Sequence, residues 1–139
     1  ATFAIVGRNP TAAVSDLSAL PGVQVTGAVD DVRSWLAAAD VVVAPLRTAR
    51  GIQNKVLEAM AMAKPVVASP AAAEGIDAQA GVHFYVEDSA RAEADRVCAL
   101  LADSKAMQRV GDVARAHVIA HYGWSQKLAP LRHMISEVT

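Results

Sequence analysis

Three short apolar runs, rich in β-branched side chains, stand out at 2–6 (TFAIV), 40–44 (DVVVA) and 65–69 (PVVAS). A run without alternation is how a strand covered on both faces of a parallel sheet reads. Residues 23–27 (VQVTG) form a shorter strand candidate, and 82–86 (VHFYV) an edge candidate. Between the runs the apolar period lengthens to that of a helix. Asn9 and Pro10 offer a cap and a first-turn proline, followed by a stripe of Val14, Leu17 and Leu20. Residues 30–39 place Val32, Trp35, Leu36 and Ala39 on one side of a second helix. Further helices are predicted over 89–102, 105–121 and 125–137, broken at Asp103-Ser104 and at Gly123. Strand and helix thus alternate to residue 86, and a helical tail follows. Right-handed crossovers then give an α/β fold, an open parallel sheet with helices on both faces.

One helix departs from the usual amphipathic pattern. In RGIQNKVLEAMAMAKPVVAS, residues 50–69, the positions Val56, Leu57, Ala59, Met60, Ala61, Met62 and Ala63 are apolar all round, which predicts burial. Polar groups crowd only its entrance, as Gln53, Asn54, Lys55 and Glu58. Amides in the first turn of a helix lack intrahelical acceptors, and the dipole makes that end favour anions. Gly51 leaves the backbone open to close approach, so Ile52, Gln53, Asn54 and Lys55 are candidates to present N–H groups to a phosphate. Glu58, one turn deeper, would repel phosphate but can accept hydrogen bonds from a diol. The alternative is that Arg50, Lys55 and Glu58 only pair with one another, a surface arrangement that contributes about 0–1 kcal/mol. Spacing alone leaves both readings open. Ligands of open parallel sheets bind outside the carboxyl ends of the strands, where GRNP, PLRTARG and SPAAAEG form the connecting loops.

Composition narrows the classes. The chain has 139 residues, enough for one domain with a core, and a formal charge of −1. That charge removes any whole-surface case for nucleic acid or anionic lipid. No apolar run reaches the roughly 18 residues of a membrane span. The single cysteine, Cys98, excludes an internal disulfide and fits a reducing, cytosolic setting; its apolar neighbours predict a small buried hydrophobe. No secretory signal is visible. Ala1 runs directly into an apolar strand, so the chain is expected to be a fragment. Mixed charges along the tail (Arg91, Glu93, Asp95, Arg96, Lys105, Arg109, Asp112, Arg115) predict a solvated face. His117 and His121 are four apart, but no carboxylate or cysteine nearby completes a metal site, and His83 and His133 read as incidental. Asp30-Asp31 with Lys64-Pro65 faintly suggests a phospho-acceptor receiver, but the first strand does not end in the acidic pair that such a domain needs. No Gly-x-Gly-x-x-Gly is present.

The order VTGAVDDVRSWL, ADVVVAPLRTARGIQ, NKVLEAMAMAKPVVAS resembles the C-terminal, donor-binding half of glycosyltransferase family 4, from AIVG to HYGW near the end. The narrower likeness is to bacterial sugar transferases associated with exopolysaccharide and exosortase-type systems. The resemblance implies a Rossmann-like domain, one half of a two-domain B-type fold, in a cytoplasmic retaining enzyme without a metal or other cofactor. It implies a UDP- or GDP-linked sugar as donor and a saccharide or lipid-linked acceptor held by a missing domain, with room for peripheral membrane association of the full-length enzyme. It makes residues 1–139 a nucleotide-sugar-binding fragment that lacks its first strand and helix and should not transfer sugar alone. Of the two glutamates in the family motif, the second matches Glu58, expected on the ribose; the first falls on Arg50, so the usual acidic contact to the sugar is absent. Arg50 and Lys55, with the backbone of Gly51, Ile52, Gln53 and Asn54, would meet the diphosphate. Ala28 and Val29 would read the base, and Gly7 and Arg8 would lie beneath the nucleotide. A nucleotide-sugar 2-epimerase and a non-catalytic nucleotide-binding module are the rival readings.

Overall fold

The computed structural model describes residues 1–123, so the helix expected over 125–137 lies outside the described residues, as does His133. The chain divides into two compact units, Ala1–Ala38 and the residues from Ala39 on.

In the first unit, β1 (Phe3–Val6) pairs in parallel with β2 (Val23–Gly27). The register runs from Phe3 opposite Val23 to Ile5 opposite Val25, then slips so that Val6 faces Gly27. Between the strands lie α1 (Ala12–Ser15) and a 3-10 turn (Asp16–Ala19). The cap of α1 is Thr11, whose hydroxyl accepts from the Val14 amide at 3.4 Å, and not Asn9. Asn9 instead takes φ 49°, a left-handed turn that asparagine tolerates, and this delays the helix past Pro10. The expected stripe is cut short as a result, and Leu17 and Leu20 stay exposed. Helix α2 (Val32–Ala38) follows β2. Asp31 accepts from the Arg33 amide at 2.9 Å and pairs with its guanidinium, a contact that holds the Asp31 carboxyl below its ordinary range. No residue of this unit is fully buried.

In the second unit, β3 (Val42–Ala44), β4 (Val66–Ala68) and β5 (Tyr85–Val86) form a parallel sheet in that order. All of β4, the central strand, is buried, as its unbroken apolar run predicts. The edge strand is shorter than 82–86 because His83 turns back, its amide donating to Gln79, and Phe84 fills the core. Helices α3 (Asn54–Ala61), α4 (Pro70–Ala73), α5 (Ala90–Ala102) and α6 (Ser104–Tyr122) complete the unit. Its core is Val56, Ala59 and Met60 of α3, the β4 valines, Ala72, Phe84 and Leu100, with Val110, Ala114 and Val118 of α6.

Two further expectations need correction. Helix α3 is not buried on every side: Leu57, Ala61, Met62 and Ala63 are half-buried, because the helix packs through one face and ends at Ala61. Ala63 takes φ 56°, the Lys64 amide returns to the Ala59 carbonyl and the Ala63 amide to that of Met60. That bonding is the Schellman ending, in an alanine where glycine is usual. Cys98 is exposed. Core-facing Leu100 is two residues on, about 200° around the helix, so Cys98 points away from the core. The tail carries the expected solvated charges, with Arg91 on Asp95 at 3.2 Å and Arg96 on Glu87 at 2.8 Å.

Candidate functional site

Residues 45–51 leave the carboxyl end of β3 and lead into α3. Ser69 pins this loop. Its hydroxyl donates to the Leu46 carbonyl at 2.6 Å and accepts from the Ala72 amide at 3.2 Å, which caps α4 in the same stroke. Gly51 takes φ 68°, a backbone turn that a side chain would strain. Gln53 then stands at the cap position of α3 without capping it; its side-chain amide reaches back to the carbonyls of Gly51 (3.2 Å) and Arg50 (3.5 Å). The Val56 and Leu57 amides both donate to the Gln53 carbonyl. The amides of Ile52, Gln53, Asn54 and Lys55 meet no acceptor among the described residues. These unspent donors lie where the sequence places them, beside the exposed side chains of Arg50, Asn54, Lys55 and Glu58.

No ion pair joins Arg50, Lys55 and Glu58 to one another among the described residues. The reading in which they merely neutralise each other therefore loses its geometric basis. Next to this turn lies an open depression of about 280 Å³, lined by Ala49, Gly51, Ile52, Glu74 and Gly75.

In the first unit, the Gly7 amide donates to the Gly27 carbonyl at 3.2 Å, and the Thr26 hydroxyl donates to the same oxygen at 3.0 Å. The turn carrying Gly7 and Arg8 is thereby tied to the one carrying Ala28 and Val29, at the carboxyl ends of β1 and β2. Arg8 and Ala28 are exposed and Val29 is half-buried. The predicted site residues thus form two groups, one at the strand ends of each unit.

Sequence reasoning missed two residues. Ser69 was detectable, since a serine before a proline is the signature of a helix start. Glu74 lies in the SPAAAEG loop that the sequence marks as ligand-facing, but only the walls of the depression single it out within that loop. His83 also has ring neighbours: its imidazole lies 4.0 Å from that of His117, tilted by 36°, and His117 in turn stacks 4.1 Å from His121. His117 Nε2 meets the Asp77 carbonyl. No cluster of three or more metal-ligating side chains forms among the described residues.

The family model "Glycosyl transferases group 1" matches residues 1–103. No curated protein sequence matches the chain. Among solved structures, HepE of Anabaena in complex with UDP and glucose superposes with a TM-score of 0.81 at 18% identity, over 98% of this chain and 40% of that one. Sucrose-phosphate synthase of Thermosynechococcus elongatus gives 0.78 at 21% identity, over 98% and 39%. The C-terminal domain of a group 1 glycosyl transferase, LpcC of Francisella tularensis, gives 0.68 at 25% identity, over 79% and 58%. The chain spans about 40% of the length of HepE. The parallel strands, the helical region after them and the family match over most of the chain agree: this protein belongs to the glycosyl transferases of group 1.

Proposed function

We propose that this chain is the donor-binding part of a longer, retaining bacterial glycosyltransferase of the cytoplasm, moving a hexose from UDP or GDP onto a saccharide or lipid-linked acceptor in surface-polysaccharide synthesis. The observation that carries the reading is the turn before α3: four amides without acceptors among the described residues, flanked by Arg50 and Lys55 and backed by Glu58. The complexes of HepE with UDP and with UDP-glucose support a nucleotide-sugar ligand. So does the greater length of the neighbours for a second domain that holds the acceptor.

In this reading the amides of residues 52–55 and the cations of Arg50 and Lys55 bind the diphosphate. Their main effect falls on the leaving group, where negative charge grows as the sugar departs and fixed donors stabilise it. Glu58 accepts both ribose hydroxyls. Gly7 and Arg8 lie beneath the nucleotide, and the backbone at Ala28 and Val29 reads the base. Closure of the second domain excludes water.

Calorimetric titration with UDP and GDP tests this. One of them binds the chain, and Glu58→Gln weakens that binding about tenfold, the effect of losing charge-assisted hydrogen bonds. Unchanged affinity removes Glu58 from the ribose. The chain alone transfers no sugar from donor to acceptor; detectable transfer overturns the two-domain requirement. Full-length protein supplied with donor alone leaves the sugar's configuration intact, whereas an epimerised product makes it a 2-epimerase.

A further inference from the structure

We propose that Glu74 is a specificity-determining residue of this site, its carboxylate accepting hydrogen bonds from hydroxyls of the sugar that the nucleotide carries. The inference rests on the reading above and extends it to the depression beside the α3 turn.

Glu74 is the first residue beyond α4. Its amide donates to the Pro70 carbonyl at 3.1 Å, within a helix that Ser69 caps and ties to the 45–51 loop. After it, Gly75 turns at φ 78°, and a Cβ there would meet Cγ1 of Ile52 at 3.6 Å, an ordinary packing contact. Ile76 is then buried in the core. The chain is thus hydrogen-bonded before Glu74 and buried after it, yet the Glu74 side chain is exposed and has no hydrogen-bond or ion-pair partner among the described residues.

The lining restricts what fits. Ile52 offers an apolar side chain that is 49% exposed, Ala49 and the two glycines offer backbone, and Glu74 supplies the only charge on the walls among the described residues. A bare anion is repelled by that carboxylate. A polyol suits both parts: its C–H face lies on Ile52, and its hydroxyls donate to an acceptor with about four lone-pair sites. Gly51 belongs to the depression and also to the turn whose amides face the phosphates. A sugar seated here is therefore adjacent to the diphosphate that carries it.

Two titrations of the same protein separate the possibilities: UDP or GDP alone, whichever binds, and the same nucleotide linked to a hexose. Glu74→Gln and Glu74→Ala are expected to weaken binding of the sugar nucleotide about tenfold, as loss of hydrogen bonds to a charged group does, while the free nucleotide changes less than about twofold. Because Glu74 is exposed, thermal unfolding of both variants should match the wild type. Equal losses for both ligands, or no loss for the sugar nucleotide, overturn the assignment and leave the nucleotide site standing. A wild-type protein that binds neither nucleotide overturns both.

Discussion

His83 shows how a single titrating residue acts on the fold. Burial, with the neighbouring His117 and His121 as lesser causes, pushes its imidazole below the ordinary histidine range. Its Nδ1 accepts from the Gln79 amide at 2.9 Å, a bond that needs that nitrogen unprotonated. The unfolded chain takes up this proton near pH 6.5 and the folded chain only at lower pH, so between those values the unfolded state holds more protons. The contribution of His83 to stability is therefore complete above pH 6.5 and is lost as pH falls through the folded value. Asp31, lowered by its bond to Arg33, acts only below about 3.8 and stays out of this window. Denaturant midpoints measured from pH 8 to pH 5 should fall on the acid side, and His83→Asn, which keeps an acceptor for Gln79, should flatten that fall. A variant with the wild-type acid slope would show that the protonation of His83 does not couple to stability.

At the scale of elements, what could be read in the sequence and what could not divide along physical lines. Burial on both faces leaves a run of adjacent apolar residues, so β4 was found within a residue of its ends; VQVTG matches at its full extent although none of its residues is fully buried, because its β-branched residues between Gly22 and Gly27 mark a short strand without cover. Unpaired amides at a helix start follow from helix geometry, which is why the α3 turn was legible around Gly51. The end of α3 was not, because Met62 and Ala63 continue its apolar composition and only long-range packing reveals the Schellman turn. That packing is severe. A Cβ on Gly111 of α6 would lie 2.1 Å from the carbonyl oxygen of Ala63, and Arg115 donates to the Ala61 carbonyl just before it. Gly111→Ala must therefore push α6 away from α3 and should cost more than about 3 kcal/mol, beyond the usual range for overpacking. Ala63→Gly works in the opposite direction, relieving a left-handed alanine and stabilising the fold by about 1 kcal/mol. Urea unfolding of both variants checks the pair. A Gly111→Ala protein as stable as the wild type would mean that the two helices do not touch there.

Across the whole molecule, order is distributed unevenly. Every fully buried apolar residue among those described lies in the second unit, where β4 is covered completely. The first unit has two parallel strands and no fully buried residue, with Phe3 and Leu20 about half exposed. A two-stranded pair is marginal in water unless something covers it, and parallel pairs depend on cover most. Local opening should therefore expose β1 and β2 long before β4, whose release requires loss of the core. Amide exchange followed by mass spectrometry should give residues 66–68 protection at least about 100-fold above that of residues 3–6, a gap typical of separate cooperative units. The difference bears on function, because Gly7, Arg8, Ala28 and Val29 sit at the ends of the weaker strands. If these residues hold part of the nucleotide, added UDP or GDP should slow exchange across 3–8 and 23–29 as well as around 51–58. Protection confined to 51–58 would leave diphosphate binding to the α3 turn and remove the first unit from recognition of the base.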